Sequence, residues 1–336
     1  MPQELQRRVH EEVEQTKRRS GWPAKKTLAA LGVASRSYYR WLKDEAWARD
    51  RPAGPSPPVS PFEALSEEEQ AVLAFARKHP ELRHRELAWR MVDEDVAYLS
   101  PSTVYRILKA ADLVCPWRRR AERKTASKEK ASRPDQRWST DLMHVQVGGR
   151  VYYLVAFLDD YSRSIVHHEL LAGMDGLTVS LAAQKAIETL PRGPDGKPAA
   201  TPLIRSDNGS CYISKEFRVV LRENGLGHHR IRPHCPEENG LIERTNRTLR
   251  EALDGEELTD LSTAERVLAR LVRRYNEERL HGALGYLPPW EFYRGEPSRR
   301  FEERRIKLSQ ARHRRRERNL QLRQGTLPLE RGEAVA

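Results

Sequence analysis

Between Trp138 and Val147 apolar and polar residues alternate, and after Gly148-Gly149 they give way to a continuous apolar run over 151–158. That order predicts a β-hairpin with a buried second strand. Asp159-Asp160-Tyr161-Ser162-Arg163 reads as another turn, and a third strand over 164–170 completes an antiparallel meander. A helical period over 177–190 is ended by the proline- and glycine-rich loop 191–198, since neither residue type propagates a helix. Residues 202–206 form a short strand that delivers Asp207 at its carboxyl end, where ligands of open α/β sheets gather. Asn208-Gly209 turns the chain, Ser214 caps a helix to Asn224, and 227–231 reads as a fifth strand. After the polar loop 233–240, Ile242, Leu249 and Leu253 recur at helical spacing. The expected core is therefore an α/β domain over 134–255 on a mixed five-stranded sheet. A helical extension over 256–298 follows, with a helix over 263–277 and a short one opened by Pro288-Pro289.

Upstream, every periodic stretch is helical. Residues 1–49 hold a charged helix over 4–18 and then a helix-turn-helix pattern: a helix over 24–31, a turn at Gly32, and a second helix capped by Ser35. Leu28, Leu31, Val33 and Leu42 are expected inside, leaving Arg36, Ser37 and Arg40 for a major groove. A plain helical hairpin has much the same pattern. The proline-rich segment 50–63 reads as a semi-extended linker to a second helical domain over 64–114. Here Ser66-Glu67-Glu68-Glu69 is a capping sequence for a helix to Lys78, and 83–93 forms a middle helix. Ser100-Pro101 opens the last one. Val104, Ile107, Leu108 and Ala111 should face inward, and Ser102, Thr103, Arg106 and Lys109 outward, a set that suits phosphate and base-edge contacts or ordinary solvation.

Charge adds a partner to this outline. Of the net charge of +12, residues 115–133 carry +6 and residues 299–318 carry +7, so the rest of the chain is close to neutral. Localised positive charge of this size points to a polyanion, and the lack of an aromatic-rich apolar face favours nucleic acid over a membrane surface. Arg118, Arg119 and Arg120 in the basic linker 115–133, and Arg314, Arg315 and Arg316 in the tail 299–336, are candidate contacts. Cys115, Cys211 and Cys235 form no C-x-x-C pair, so neither a disulfide framework nor a structural zinc site is indicated, and a reducing cytoplasm fits. His234-Cys235 reads as a loop-positioning pair. The chain opens without an apolar signal region, and its longest apolar run is far short of a membrane span.

Three carboxylates complete the picture: Asp141 in W-S-T-D-L-M-H-V, Asp207 in S-D-N-G-S, and Glu243 in E-N-G-L-I-E-R, with 35 residues between the last two. Asn246, Arg247 and Arg250 follow Glu243 at i+3, i+4 and i+7, so one helix face reads as an acid followed by a polar and basic track. Three converging acids would raise one another's pKa values, and bound cations remove that conflict. Phosphoryl transfer on DNA needs an activated oxygen nucleophile and a stabilised leaving oxyanion, and two hard cations about 4 Å apart supply both.

These three segments resemble the catalytic core shared by retroviral integrases and bacterial insertion-sequence transposases. Y-N-E-E-R-L-H-G-A-L-G-Y at 275–286, with Pro288 and Glu291-Phe292-Tyr293, is similar to the stretch that follows the core in the insertion-sequence branch. L-G-V-A-S-R-S-Y-Y-R-W-L and S-P-S-T-V-Y-R-I-L-K-A-A-D-L resemble the helix-turn-helix units of that branch, so the likeness runs over about residues 25–295. The resemblance implies a ribonuclease-H-like fold preceded by all-α helix-turn-helix DNA-binding domains. It further implies that Asp141, Asp207 and Glu243 are catalytic and hold two Mg²⁺ ions, with Mn²⁺ able to substitute. Asp141 and Asp207 would share one ion, and Glu243 would complete the second site. The implied activity is cleavage and transfer of DNA strands at the terminal repeats of a mobile element. Its partners would be double-stranded element ends and target DNA, bound by a homodimer or larger assembly in the cytoplasm. The paired His and paired Cys of the integrase zinc module are absent, and nothing after Gly295 looks like its small barrel. A nuclease that cuts without joining and a repressor with an inert core are the alternatives.

Overall fold

The computed structural model describes residues 3–50, 60–114, 130–194, 196, 198–232 and 235–324. The chain divides into two units, Met1–Glu63 and Ala64–Ala336.

In the first unit, α1 (Gln3–Ser20), α2 (Ala24–Ala30) and α3 (Ser35–Asp50) pack around Val13, Leu28 and Tyr38. Gly32, at φ +65°, reverses the chain after α2. Its N–H bonds to the carbonyl of Ala29 and that of Val33 to Leu28, the paired bonds of a Schellman ending. This ending turns Val33 inward and leaves Leu31, expected inside, 44% exposed at the helix end. Ser35 opens α3 as its first residue and does not cap it.

The second unit begins with three helices, α4 (Ser66–Lys78), α5 (His84–Asp93) and α6 (Pro101–Ala110), around Val72, Leu87, Met91, Val104 and Leu108. Ser100 caps α6 by accepting from the Thr103 N–H at 3.3 Å, as Ser-Pro at a helix start predicts. At α4 the cap position is Leu65, whose N–H is held by Glu68 Oε2 at 3.0 Å, so Ser66 already lies within the helix. Ala111 is exposed and not inward: Asp112 adopts a left-handed φ of 54°, and Leu113 bonds back to Leu108, which ends α6 before Ala111 can pack.

The sheet follows in the order β3-β2-β1-β4-β5. β1 (Arg137–Val147), β2 (Arg150–Asp159) and β3 (Ile165–Leu171) are an antiparallel meander turned at Gly148 and Gly149, both at positive φ. The chain continues through α7 (Gly176–Glu188), β4 (Leu203–Ser206), α8 (Ser210–Ile213), α9 (Lys215–Glu223), β5 (His228–Arg230), α10 (Gly240–Leu253) and α11 (Leu261–Glu277). β4 runs parallel to β1 and β5 parallel to β4. One face of the sheet, with Trp138, Val155, Phe157 and Ile204, is covered by α7, α8 and α9. The other, with Met143, Val145, Leu154 and Ala156, is covered by α10 and α11. A mixed five-stranded sheet of this connectivity between two helical layers is a ribonuclease-H-like core.

Two helices close the described chain, α12 (Pro289–Tyr293) and α13 (Pro297–Gln324). The basic stretch 299–318 lacks apolar periodicity, yet it lies in α13 and docks through a stripe of Arg304, Lys307, Ala311 and Arg315. Much of its charge is met internally: Arg304 pairs with Asp93, Lys307 with Asp95, Arg315 with Glu68, and Arg299, Arg300 and Arg305 with acids of the same helix.

Candidate active site

Asp141 sits in the middle of β1, and its odd-numbered neighbours Met143 and Val145 place its face toward α10. Ser139 of β1 is in register with Arg205 of β4, so two residues further on Asp141, within β1, lies beside Asp207, which directly follows the carboxyl end of β4. Opposite Asp141 on β2 is Ala156, fully buried, whose small side chain leaves room beside the acid. Asp207 Oδ1 accepts from the Gly209 N–H at 2.9 Å, and Asn208 Nδ2 donates to the Ile231 carbonyl, so the turn after β4 is fixed at both residues.

From the other side, Asn246 of α10 donates through Nδ2 to Asp141 Oδ2 at 3.0 Å. Glu243 lies one turn earlier on that helix and is exposed. Asn246 is thus not part of an exposed DNA-facing track: it is 6% exposed and orients an acid. Sequence spacing gave the same i+3 position to a solvent-facing residue and to this one, and only the strand beneath distinguishes them.

Below the acids lies a buried ionic network. Asp160 accepts from Arg137 at 2.6 Å, from Arg205 at 2.9 Å and from the Ser139 hydroxyl at 2.5 Å. Ser139 and Arg205 each precede a candidate acid by two residues, so Asp160 ties together the two strands that carry Asp141 and Asp207. No sequence signal marked it beyond its place in a turn.

Burial is the largest cause pushing the Asp141 carboxyl up to about 6, and the charges of Asp207 and Glu243 push the same way, against the Asn246 hydrogen bond. Both other acids therefore interact electrostatically with Asp141. The donor set is in kind what a hard divalent cation takes, carboxylate oxygens with room for water and phosphate. Asn246 Oδ1 is a buried acceptor without a partner among the described residues, which suits a hydrated cation next to Asp141. Among the described residues no three Asp, Glu, His or Cys side chains are drawn into a group that could hold a metal ion unaided.

The raised value of Asp141 makes stability depend on pH. The folded state binds this proton more tightly than the unfolded chain, so the contribution favours folding fully below 3.8 and is lost as pH rises through about 6. In metal-free solution Asp141→Asn should therefore be more stable than the parent at neutral pH, by on the order of 1–3 kcal/mol, with the difference gone near pH 4. Urea denaturation with chelator at the two pH values measures it; equal stabilities at neutral pH would contradict the coupling.

Arg36 and Arg40 are exposed on α3 and Ser37 is half-buried; Ser102, Arg106 and Lys109 are exposed on α6, with Thr103 half-buried between Ser100 and Arg106. Arg247 and Arg250 are exposed on α10, and Arg314 and Arg316 on α13. Arg315 is a second correction: at 7% exposed it pairs with Glu68 at 2.8 Å and donates to the Tyr98 carbonyl, so it holds α13 in place and is closed to DNA. Arg118, Arg119, Arg120 and His234 lie outside the described residues. Among the described residues no helix is long and apolar enough to cross a membrane.

Comparison with known proteins gives the chain relatives among integrase-core proteins. An integrase core domain family matches at residues 131–236, and a second family of the same description at 224–289. The chain is 30% identical to an uncharacterised protein of insertion element IS476 from Xanthomonas euvesicatoria, over 62% of this chain and 61% of that protein's length. It is also 30% identical to InsD, assigned as transposase of insertion element IS2E in Escherichia coli strain K12, over 58% of this chain and 92% of InsD. Among solved structures it is similar to the HTLV-2 integrase catalytic core domain in complex with magnesium, at 19% identity over 49% of this chain and 99% of that one, with a TM-score of 0.39.

Proposed function

The chain belongs to the insertion-element transposases with an integrase core, and we propose that it binds the terminal repeats of a mobile element and cuts and joins DNA strands there. The observation that carries this is Asp141 of β1 beside Asp207 at the end of β4, with Glu243 on the helix whose Asn246 grips Asp141. These carboxylates would hold Mg²⁺, which when bound would supply activation of an attacking oxygen and stabilisation of the leaving one. Asp141 and Asp207 would hold one ion together, and Glu243 would complete the second site. Asn246 keeps the Asp141 carboxylate turned to the site, and the Asp160 network keeps the two strand ends in register.

In this reading α3 and α6 are the recognition helices of two helix-turn-helix units, presenting Arg36, Ser37 and Arg40, and Ser102, Thr103, Arg106 and Lys109, to major-groove segments of one repeat. Arg118, Arg119 and Arg120 of the linker, with Arg247, Arg250, Arg314 and Arg316, track phosphates. Two element ends must be held together, so the working form is a dimer or larger assembly on cytoplasmic DNA.

Footprinting of the full-length protein on end DNA tests the division of labour: two protected blocks are expected. Arg106→Ala or Arg36→Ala should each weaken end binding by on the order of 1–3 kcal/mol while leaving unrelated DNA little affected, as loss of a base contact does. Equal loss on both DNAs would reassign these arginines to the phosphate backbone.

A further inference from the structure

We propose that Arg304 is a positioning residue that locks the α4–α6 module to the catalytic core, so that the fixed offset between α6 and the three acids selects which phosphate is cut. The covalent path from α6 to β1 runs through residues 115–129, which lie outside the described residues. A non-covalent path runs through α13, and Arg304 is its joint.

This guanidinium is 3% exposed and bonded on two sides. Toward the helical module, Nε and one terminal nitrogen form a fork on Asp93, at 2.8 and 2.6 Å, at the end of α5. Toward the core extension, the terminal nitrogens donate to the carbonyls of Gly285 and Tyr286, at 3.0 and 2.7 Å. Both of those residues are in the left-handed region, at φ 61°, and a Cβ on Gly285 would lie 2.7 Å from the Phe301 ring of α13. The turn is therefore shaped to accept α13 closely.

The turn itself is anchored to the core. His281 and Leu287 form a β-bridge, Leu287 is fully buried, and the His281 ring stacks edge-on against Tyr275 of α11. A few residues on, the Tyr293 hydroxyl and Arg294 both donate to Asp135, which also accepts from the Trp138 indole at the start of β1. A continuous series of directional contacts thus joins the strand bearing Asp141 to the helix preceding α6. Farther along α13, Lys307 donates to the Val92 carbonyl and Arg315 pairs with Glu68, so the joint is held at several points on the module.

Apolar packing would stabilise two modules at least as well as a buried charge, whose desolvation costs several kcal/mol unless every donor is met. What a planar fork adds is orientation, which a lysine cannot reproduce. The inference rests on reading α6 as a DNA-reading helix; the locking itself does not.

The test uses full-length protein with Cys115 and Cys235 changed to Ser and spin labels at Lys78→Cys on α4 and Glu188→Cys on α7, both exposed positions. Arg304→Met and Arg304→Lys should each turn one narrow inter-label distance into a broad distribution. Arg305→Met, which removes a pair made only with Glu302, should leave it narrow. On end DNA, the Arg304 variants should keep binding while cleavage at the parent's phosphate falls about a hundredfold and spreads to neighbouring phosphates. A narrow, unchanged distance in Arg304→Lys would overturn the locking role. A broad distance with one unchanged cleavage position would overturn its link to phosphate selection. Absence of cleavage by the parent protein would instead sink the functional reading and leave the distance result standing.

Discussion

Asp207→Asn is expected to leave end-DNA binding nearly intact and to lower both cleavage and joining at least about a thousandfold, a loss of roughly 4 kcal/mol of transition-state stabilisation. The substitution keeps the side-chain shape and the oxygen that accepts from Gly209, so the turn after β4 should hold. What it removes is the negative charge at the end of the strand parallel to β1, next to Asp141. An amide oxygen is a weaker ligand for a hard cation than a carboxylate, so an ion that Asp207 would hold together with Asp141 would bind less tightly. Labelled end DNA resolved on a denaturing gel gives the rate directly, with gel retardation as the check on binding. Near-normal cleavage would remove Asp207 from the site.

Asp160→Ala should destabilise the fold by about 3–5 kcal/mol, the usual cost of removing one partner of a buried ion pair. Asp160 is 3% exposed and meets Arg137, Arg205 and the Ser139 hydroxyl. Arg205 is itself buried, its pKa is lowered by desolvation that Asp160 opposes, and its Nε has no partner among the described residues. Without the carboxylate a buried cation is left uncompensated between the strands that carry both aspartates. The urea midpoint should fall with little change in slope. Changing Asp160 and Arg205 together to apolar residues of similar size should recover part of the loss. A loss well under about 1 kcal/mol for Asp160→Ala would mean that water reaches this network.

The strands and their ends were legible because period and turn chemistry agree locally: alternation before Gly148-Gly149, an apolar run after it, and a short strand stopped by Asp207-Asn208-Gly209. The acids could be read from type and spacing. Their support could not. Asn246 follows Glu243 exactly as an exposed residue would in a one-dimensional period, and its partner Asp141 is 105 residues away. Arg304 and Arg315 form a buried stripe with Ala311, but pairing with acids 211 and 247 residues distant is invisible to a hydrophobic pattern, so the stretch read as a tail. Helical period places Leu31 and Ala111 inside; each helix stops one residue earlier in a left-handed ending that leaves that residue exposed, and after α2 the inward position passes to Val33. Deleting 299–318 is for the same reason no clean probe of DNA affinity, because it would also unseat α4–α6.

The most direct measurement of the central claim is a strand-transfer reaction: full-length protein, Mg²⁺, end-labelled terminal-repeat DNA and a supercoiled target plasmid, resolved by size. The expected result is label nicked at the element end and then covalently joined to plasmid, with both products absent under chelation. Protein that binds the end DNA yet yields neither product with Mg²⁺ or Mn²⁺ would contradict the assignment of Asp141, Asp207 and Glu243 to strand cleavage and transfer.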